Sequence, residues 1–507
     1  MFKKIIRFVT SNKFILITTF LINIAIFLAV IFYINTLPYY FLLSFIAFVT
    51  AFIVLLTSKE ELVYKWSWIL IFLFFPIYGM AFYILLKTSH GTVKQRKHWE
   101  EIQNSMEGFL YQDADVLNEV IASDGRQGAQ SVFLLNKANM PVYKSGGAEY
   151  FSDGASYFTA LAEELRKAEE FIFMEFFIIK PGRLWNEIVE ILKEKGESGV
   201  EIKLLFDDFG CIDRFPKNYF KKLKDYNITA VPFNRIKPTI NPFINYRSHR
   251  KIVVIDGKTA FTGGVNIGDE YVNLESPFGY WKDTGIMVKG GAVYSLAVLF
   301  CNNWRLGTKH TIDLKNYRFD RGECCEGYLQ PYGSSPLHTE PLARNNLLRL
   351  IGSAEKYFYV TTPYLIIDNN IAATLKLAAA SGIDVRIVMP GVPDKKLVNI
   401  LSKSYYRDLL EGGVKIYEYK PGFIHAKLAL CDGIIASVGT VNFDFRSLFL
   451  HFEDGVMLYS CETIKDISRD FENIFEESCQ ITMDDVNKTG FFKRVLGKIL
   501  RIFAPLM

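Results

Sequence analysis

No C-x-x-C pair occurs in this 507-residue chain, and its seven cysteines are odd in number and scattered. That pattern is unlike a zinc ribbon or a disulfide framework. The adjacent Cys324 and Cys325 read as a surface turn. There is no G-x-x-x-x-G-K-[ST] loop and no H-E-x-x-H helix. Neither a P-loop nucleotide site nor a zincin metal site is therefore encoded, and no cofactor or metal is implied. Charge of one sign is also scarce: 58 Lys+Arg against 54 Asp+Glu leave a net charge of +4. That makes no large field for nucleic acid. Histidine is rare, with seven in all.

What the chain does have is apolar residues. Half of it is hydrophobic and mean hydropathy is +0.14, high for a soluble enzyme. Three uncharged or nearly uncharged runs cover residues 14–34, 39–57 and 66–86. Roughly 20 apolar residues span a bilayer. The first run is too long for a signal peptide and no small-residue cleavage site follows it. Trp66, Trp68 and Tyr83 rim the third run, as interfacial aromatics do. Lys3, Lys4, Arg7 and Lys13 precede the first run; Lys87, Lys94, Arg96 and Lys97 follow the third. The positive-inside rule puts both clusters in the cytoplasm, which three full crossings forbid. The third run, with Pro76 and Gly79, is the candidate for a re-entrant or interfacial segment. The expectation is a multi-pass cell-membrane protein with its soluble part on the cytosolic side.

The rest of the chain repeats itself. His249-Arg250-Lys251-Ile252-Val253-Val254-Ile255-Asp256 returns as His425-Ala426-Lys427-Leu428-Ala429-Leu430-Cys431-Asp432. Both copies read H-x-K-x4-D and both lead to a G-x-x-N tail, ending in Asn266 and Asn442. The apolar, β-rich stretch in each reads as a strand. Residues two apart share a strand face, so His249 and Lys251 point one way, as do His425 and Lys427. Asp256 and Asp432 each precede a glycine and are expected to fix a hairpin turn.

Two His, two Lys and two Asn suit a phosphodiester. Imidazole attacks or transfers protons near neutral pH. Ammonium and amide groups stabilise an anion whose charge grows in the transition state. One His can attack while the other protonates the leaving oxygen.

With this pair of H-x-K-x4-D-x6-G-x-x-N units the chain resembles the phospholipase D superfamily, and within it the bacterial-type cardiolipin synthases. Supporting stretches are Phe206-Asp207-Asp208-Phe209-Gly210, Trp281-Lys282-Asp283, Thr362-Pro363-Tyr364 and Asn442-Phe443-Asp444-Phe445-Arg446-Ser447. The resemblance implies a catalytic set of His249, Lys251, Asp256, His425, Lys427 and Asp432, with the two aspartates as structural supports. It implies that Asn266 and Asn442 bind substrate phosphate and that Asp283 and Glu453 orient the imidazoles. It implies a phosphohistidine on His249. Departures are Gly264 and Thr440 where Ser is common, and His451 where Asn often precedes Phe-Glu.

The expected fold class is α/β: two similar phospholipase D-like halves, each a mixed sheet flanked by helices, sharing one site, behind an α-helical membrane region. The expected division is 1–87 membrane-anchoring helices, 88–130 linker, 131–320 first half, 321–488 second half and 489–507 a C-terminal helix. Strands are expected at 171–179, 201–206, 357–361, 384–389 and 414–419. Helices are expected at 158–169, 186–195, 345–354, 371–380 and 397–410. The C-terminal segment alternates basic and apolar residues at helical spacing, from Phe491 to Phe503, with no acid. It suits an anionic membrane surface.

The expected reaction is phosphatidyl transfer between two phosphatidylglycerol molecules, giving cardiolipin and glycerol. The rivals are a phospholipase D-type hydrolase, a phosphatidylserine synthase, a nuclease and a membrane-bound interaction protein with a dead site. Complete motifs argue against the last. Apolar runs and modest charge argue against the nuclease.

Overall fold

The structure, a computed structural model, describes residues 25, 29, 33, 40–57, 62–86, 93–236, 245–320, 322 and 325–506. The two halves carry the same sheet. In the first, seven strands run in the order Ala148–Phe151, Gly285–Lys289, Thr259–Gly263, Ile252–Ile255, Phe171–Phe176, Glu201–Asp207, Ile228–Phe233. In the second the order is Tyr328–Ser334, Glu453–Tyr459, Ile435–Gly439, Leu428–Cys431, Tyr357–Thr361, Asp384–Pro390, Lys415–Tyr419. Tyr143–Lys144 and Ser478–Ile481 extend the second sheet at its two edges. Each sheet is mixed at the same place. Phe171–Phe176 pairs parallel with Glu201–Asp207 and antiparallel with the motif strand; Tyr357–Thr361 does the same in its half.

Central strands such as Phe171–Phe176 are buried along their whole length, because helices cover both faces. Helix Gly291–Thr308 is apolar nearly all round and lies buried in the core. One apolar cluster runs through both halves, including Phe173, Val254, Leu296, Phe300, Tyr332 and Val438. The halves therefore share a core.

Boundaries shift by a few residues from the sequence reading. The helix expected at 397–410 is two, Lys396–Lys403 and Tyr406–Glu411. The stretch expected as a linker holds helices Val93–Glu107, Ala114–Ser123 and the start of Gly125–Ala138. Trp99 from the first packs edge-on against Phe452, with ring centroids 5.4 Å apart.

Most of the first apolar run lies outside the described residues. The second forms helix Tyr40–Thr57, whose 18 residues at about 1.5 Å each fall short of a roughly 30 Å hydrocarbon core. The third run is split at Phe75 into Leu62–Phe74 and Pro76–Leu86. Proline cannot continue the ladder, so the break is local chemistry. No helix of the described residues is long and apolar enough to cross a membrane. Leu42, Phe45, Ile53, Trp66 and Phe74 are exposed on these helices.

Candidate active site

The two motifs are built alike. Asp256 and Asp432 sit in the hairpin turns with positive φ, 51° and 52°, followed by Gly257 and Gly433, also positive. This is the mirror-image turn that matches strand twist. Asp256 accepts backbone N–H bonds from Glu169, Glu170 and Phe171, each 2.8 Å. Asp432 accepts the corresponding three from Glu355, Lys356 and Tyr357, at 2.8, 2.9 and 2.8 Å. Each aspartate thus pins the start of the neighbouring strand, at the opposite end of the motif strand from the histidine. They are not among the groups the structure gathers round the imidazoles.

At the other end the halves exchange partners. The His249 backbone N–H donates to Phe452 O at 2.9 Å, and that of His425 to Lys282 O at 2.7 Å. Strand Tyr280–Lys282 pairs in parallel with Gly422–Ile424. These crossings set each histidine beside the other half's carboxylate. His249 Nδ1 lies 2.8 Å from Glu453 Oε2, and His425 Nδ1 lies 2.5 Å from Asp283 Oδ2. All four side chains are buried. A carboxylate on Nδ1 fixes the proton there and leaves the Nε2 lone pair free.

Lys251 Nζ donates to His249 O at 2.6 Å, and Lys427 Nζ donates to His425 O. A Cβ added to Gly264 would lie 3.3 Å from Lys427 Cδ, so the second lysine reaches the first half's G-x-x-N tail. Asn266 accepts from Ile178 N and donates to Tyr271 OH, both at 3.0 Å. Asn442 Oδ1 is buried without a partner among the described residues.

Burial dominates the electrostatics. It pushes His249 down to about 3 and His425 to about 4, so both rings are neutral at pH 7. It pushes Lys251 down to about 8 and Lys427 to about 7, the latter also repelled by Lys251. Burial opposes the charge on Glu453, but His249 and its hydrogen bond outweigh it and hold the carboxyl below its usual range. Asp283 is held down in the same way by His425 and Lys427. The site thus combines neutral imidazoles, buried carboxylates and cations ready for an anion.

Three features escaped the sequence reading. Arg250, the residue between His249 and Lys251, is buried and donates to Glu453 O, Leu299 O and Ser334 O at 3.1, 2.9 and 3.2 Å. It fastens the first motif to the second half, and its counterpart is only Ala426. Thr440 Oγ1 donates to Glu453 Oε2 at 2.5 Å. His451 stands 5.6 Å from His249, ring to ring. Thr440 and His451 were visible as departures from the family pattern, without a role; Arg250 gave no signal.

The family described as "Cardiolipin synthase, PLD-like domain" matches residues 161–277 and 347–475, one segment in each half. A cardiolipin synthase of Halalkalibacterium halodurans is 36% identical over 456 residues, covering 87% of this chain and 88% of its own. The chain belongs to the phospholipase D-like cardiolipin synthase family. Another family relative, a cardiolipin synthase of Clostridium perfringens, is 34% identical and covers 87% of this chain and 94% of its own. An uncharacterized protein of Streptococcus mutans is 37% identical, covering 89% and 98%. Among solved structures, phosphatidylserine synthase of Haemophilus influenzae shares the fold, with a TM-score of 0.56 at 15% identity over 74% of this chain and 97% of that one.

Proposed function

We propose that this chain is a cardiolipin synthase, a phosphatidyltransferase that joins two phosphatidylglycerols with release of glycerol. The observation that carries the reading is the pair of imidazoles, each held at Nδ1 by a buried carboxylate of the opposite half and each beside a buried lysine. His249 Nε2 attacks phosphorus of the first phosphatidylglycerol. The P–N bond forms, the P–O bond to glycerol breaks, and His425, which takes up a proton at Nε2 as the anionic phosphodiester binds, gives that proton to the departing oxygen. The terminal hydroxyl of a second phosphatidylglycerol then loses its proton to His425 and attacks phosphorus. The P–N bond breaks and cardiolipin leaves. One phosphodiester replaces another, so no nucleotide is consumed. His249 is taken as the attacking group on the family likeness.

The electrostatics support this order. In the free site both rings are neutral, as a nucleophile requires. A bound phosphodiester adds negative charge, which favours the protonated forms of His425, Lys251 and Lys427. Lys251, Lys427 and the amides of Asn266 and Asn442 are assigned to the phosphate oxygens. Asp256 and Asp432 are assigned to holding the motif strands.

Two surfaces are assigned to the membrane that supplies the lipids. One is the exposed apolar face of helices Tyr40–Thr57, Leu62–Phe74 and Pro76–Leu86. The other is helix Phe491–Phe503, which turns Phe492, Val495, Leu496, Ile499 and Ile502 outward among Lys493, Arg494 and Lys498. Its inner side is close-packed: a Cβ on Gly497 would lie 3.0 Å from Ser404 Cβ. Ser67 donates to Ile502 O at 2.6 Å, joining the two surfaces. An outward apolar face flanked by cations fits an anionic bilayer.

The test is purified protein with phosphatidylglycerol vesicles and products resolved by mass. Cardiolipin with equimolar glycerol supports the proposal. Phosphatidic acid without cardiolipin would replace it with the hydrolase.

A further inference from the structure

His451 stands against the reacting centre and has no part in the transfer above. It comes directly after a π-helical turn, Arg446–Leu450, closed by the His451 N–H to Arg446 O bond of 2.8 Å. Such turns are frequent at functional sites because the extra residue re-aims the side chain beyond it. Here it places an imidazole over the free edge of Glu453. His451 Nδ1 is 3.6 Å from Glu453 Oε1. Both ring nitrogens of His451 and Oε1 of Glu453 are buried with no hydrogen-bond partner among the described residues. One ligand atom from each of His249, His451 and Glu453 lies within 4.8 Å of the others. Ligands at about 2.0–2.1 Å in a tetrahedral zinc site stand roughly 3.4 Å apart, so the widest pair closes by at most about 1.4 Å on binding. Two imidazoles and one carboxylate favour zinc-like ions over magnesium or calcium. His451 lines a cleft with Ser335, His338, Glu340 and Phe449, and Glu340 is half exposed.

We propose that His249, His451 and Glu453 form a capture site for a zinc-like divalent cation, and that its occupation switches the enzyme off. The inhibition rests on the reading of His249 as nucleophile; the binding does not. The cation takes the Nδ1 lone pair of His249. The Nδ1 proton leaves to water and Nε2 takes one up, so the ring stays neutral. Its Nε2 then has no lone pair to offer phosphorus. The ion is an inhibitor, so a chelator restores activity and never removes it.

Cobalt(II) titrated into the full-length protein is the direct probe. The expected result is a tetrahedral visible spectrum at about one equivalent, without thiolate charge-transfer bands. It persists in His425→Ala and disappears in both His451→Asn and His249→Asn. In the vesicle assay zinc inhibits reversibly. Loss of an outer-shell partner alone costs ~10–100-fold in metal affinity, so His451→Asn is expected to need at least ~100-fold more zinc. No cobalt spectrum in the wild type overturns the site, as does a spectrum with thiolate bands that survives in His451→Asn. Equal zinc sensitivity of wild type and His451→Asn overturns the switch. A chain that bound cobalt as described but made no cardiolipin would instead overturn the proposed function and leave the site standing.

Discussion

His249 rests on Glu453, which takes a second hydrogen bond from Thr440; His425 rests on the shorter Asp283, packed where Gly264 has no side chain. A Cβ on Gly264 would come within 2.1 Å of Asp283 Oδ1. The surroundings differ as well. Phe177 and His451 flank His249, while Tyr271, Trp281 and Phe423 wall in His425. Yet Asp256 and Asp432 make the same three backbone contacts. Duplication has kept the frame and let the positions that face the reaction diverge. Two imidazoles with the same sequence signature are thereby free to do different work.

The largest expected effect breaks that equivalence at its centre. His249→Asn is expected to lower turnover by ~10⁴-fold or more, as loss of a nucleophile does. His425→Asn is expected to cost ~10²–10⁴-fold, as loss of a general acid does. With a substrate whose leaving group needs no proton, such as a nitrophenyl phosphodiester, only His425→Asn accumulates a phosphohistidine detectable by mass. Accumulation in His249→Asn instead would reverse the roles.

The next effect sharpens the contrast in supports. Gly264→Ala forces Asp283 off His425, and a misplacement of about 1 Å costs on the order of 10²-fold. Thr440→Ala removes one hydrogen bond to Glu453 and leaves the His249 contact in place, so the loss is expected to be smaller, roughly 10-fold in kcat. Equal losses would show that the two carboxylates are held alike.

The lysines give a pH signature. Below about 7 both ammoniums are charged in the free enzyme; as pH rises through 7 to 8 first Lys427 and then Lys251 lose their protons. The profile of kcat/KM is expected to fall on the alkaline side with a midpoint in that window. Bound anion raises both groups, so the limb in kcat lies at higher pH. Lys427→Arg keeps its charge throughout and is expected to move the kcat/KM limb toward that of Lys251. A limb unmoved by the substitution would place it elsewhere.

The smallest effect on chemistry is expected at the frame. Asp256→Asn and Asp432→Asn weaken the triple backbone contacts and lower stability by about 1–3 kcal/mol each. Denaturant unfolding should report the larger loss at Asp432, which also accepts from Arg126 Nη1 at 2.6 Å, with activity per folded molecule largely kept.

Much of the architecture was legible in the chain itself. The repeat, the strand faces of His249 and Lys251, the Asp-Gly turns and the strand at Tyr357–Thr361 all come from local spacing. Asp283 and Glu453 were recognisable as partners of histidines, but nothing local says that each serves the opposite half. Only the packing of Phe452 on His249 and of Lys282 on His425 decides that. The helix expected across 397–410 divides because the backbone turns at Ser404, where the C-terminal helix packs through Gly497. His451 was noted as a substitution, but its place beside His249 depends on the π turn before it.

The exchange of carboxylates has an evolutionary and practical corollary. Each half owns an imidazole it cannot aim, so neither is an enzyme by itself, and a single-motif ancestor would have been inert until two copies met. A chain severed within residues 309–327 is expected to yield two silent fragments whose activity returns only as they reunite, second order in their concentrations.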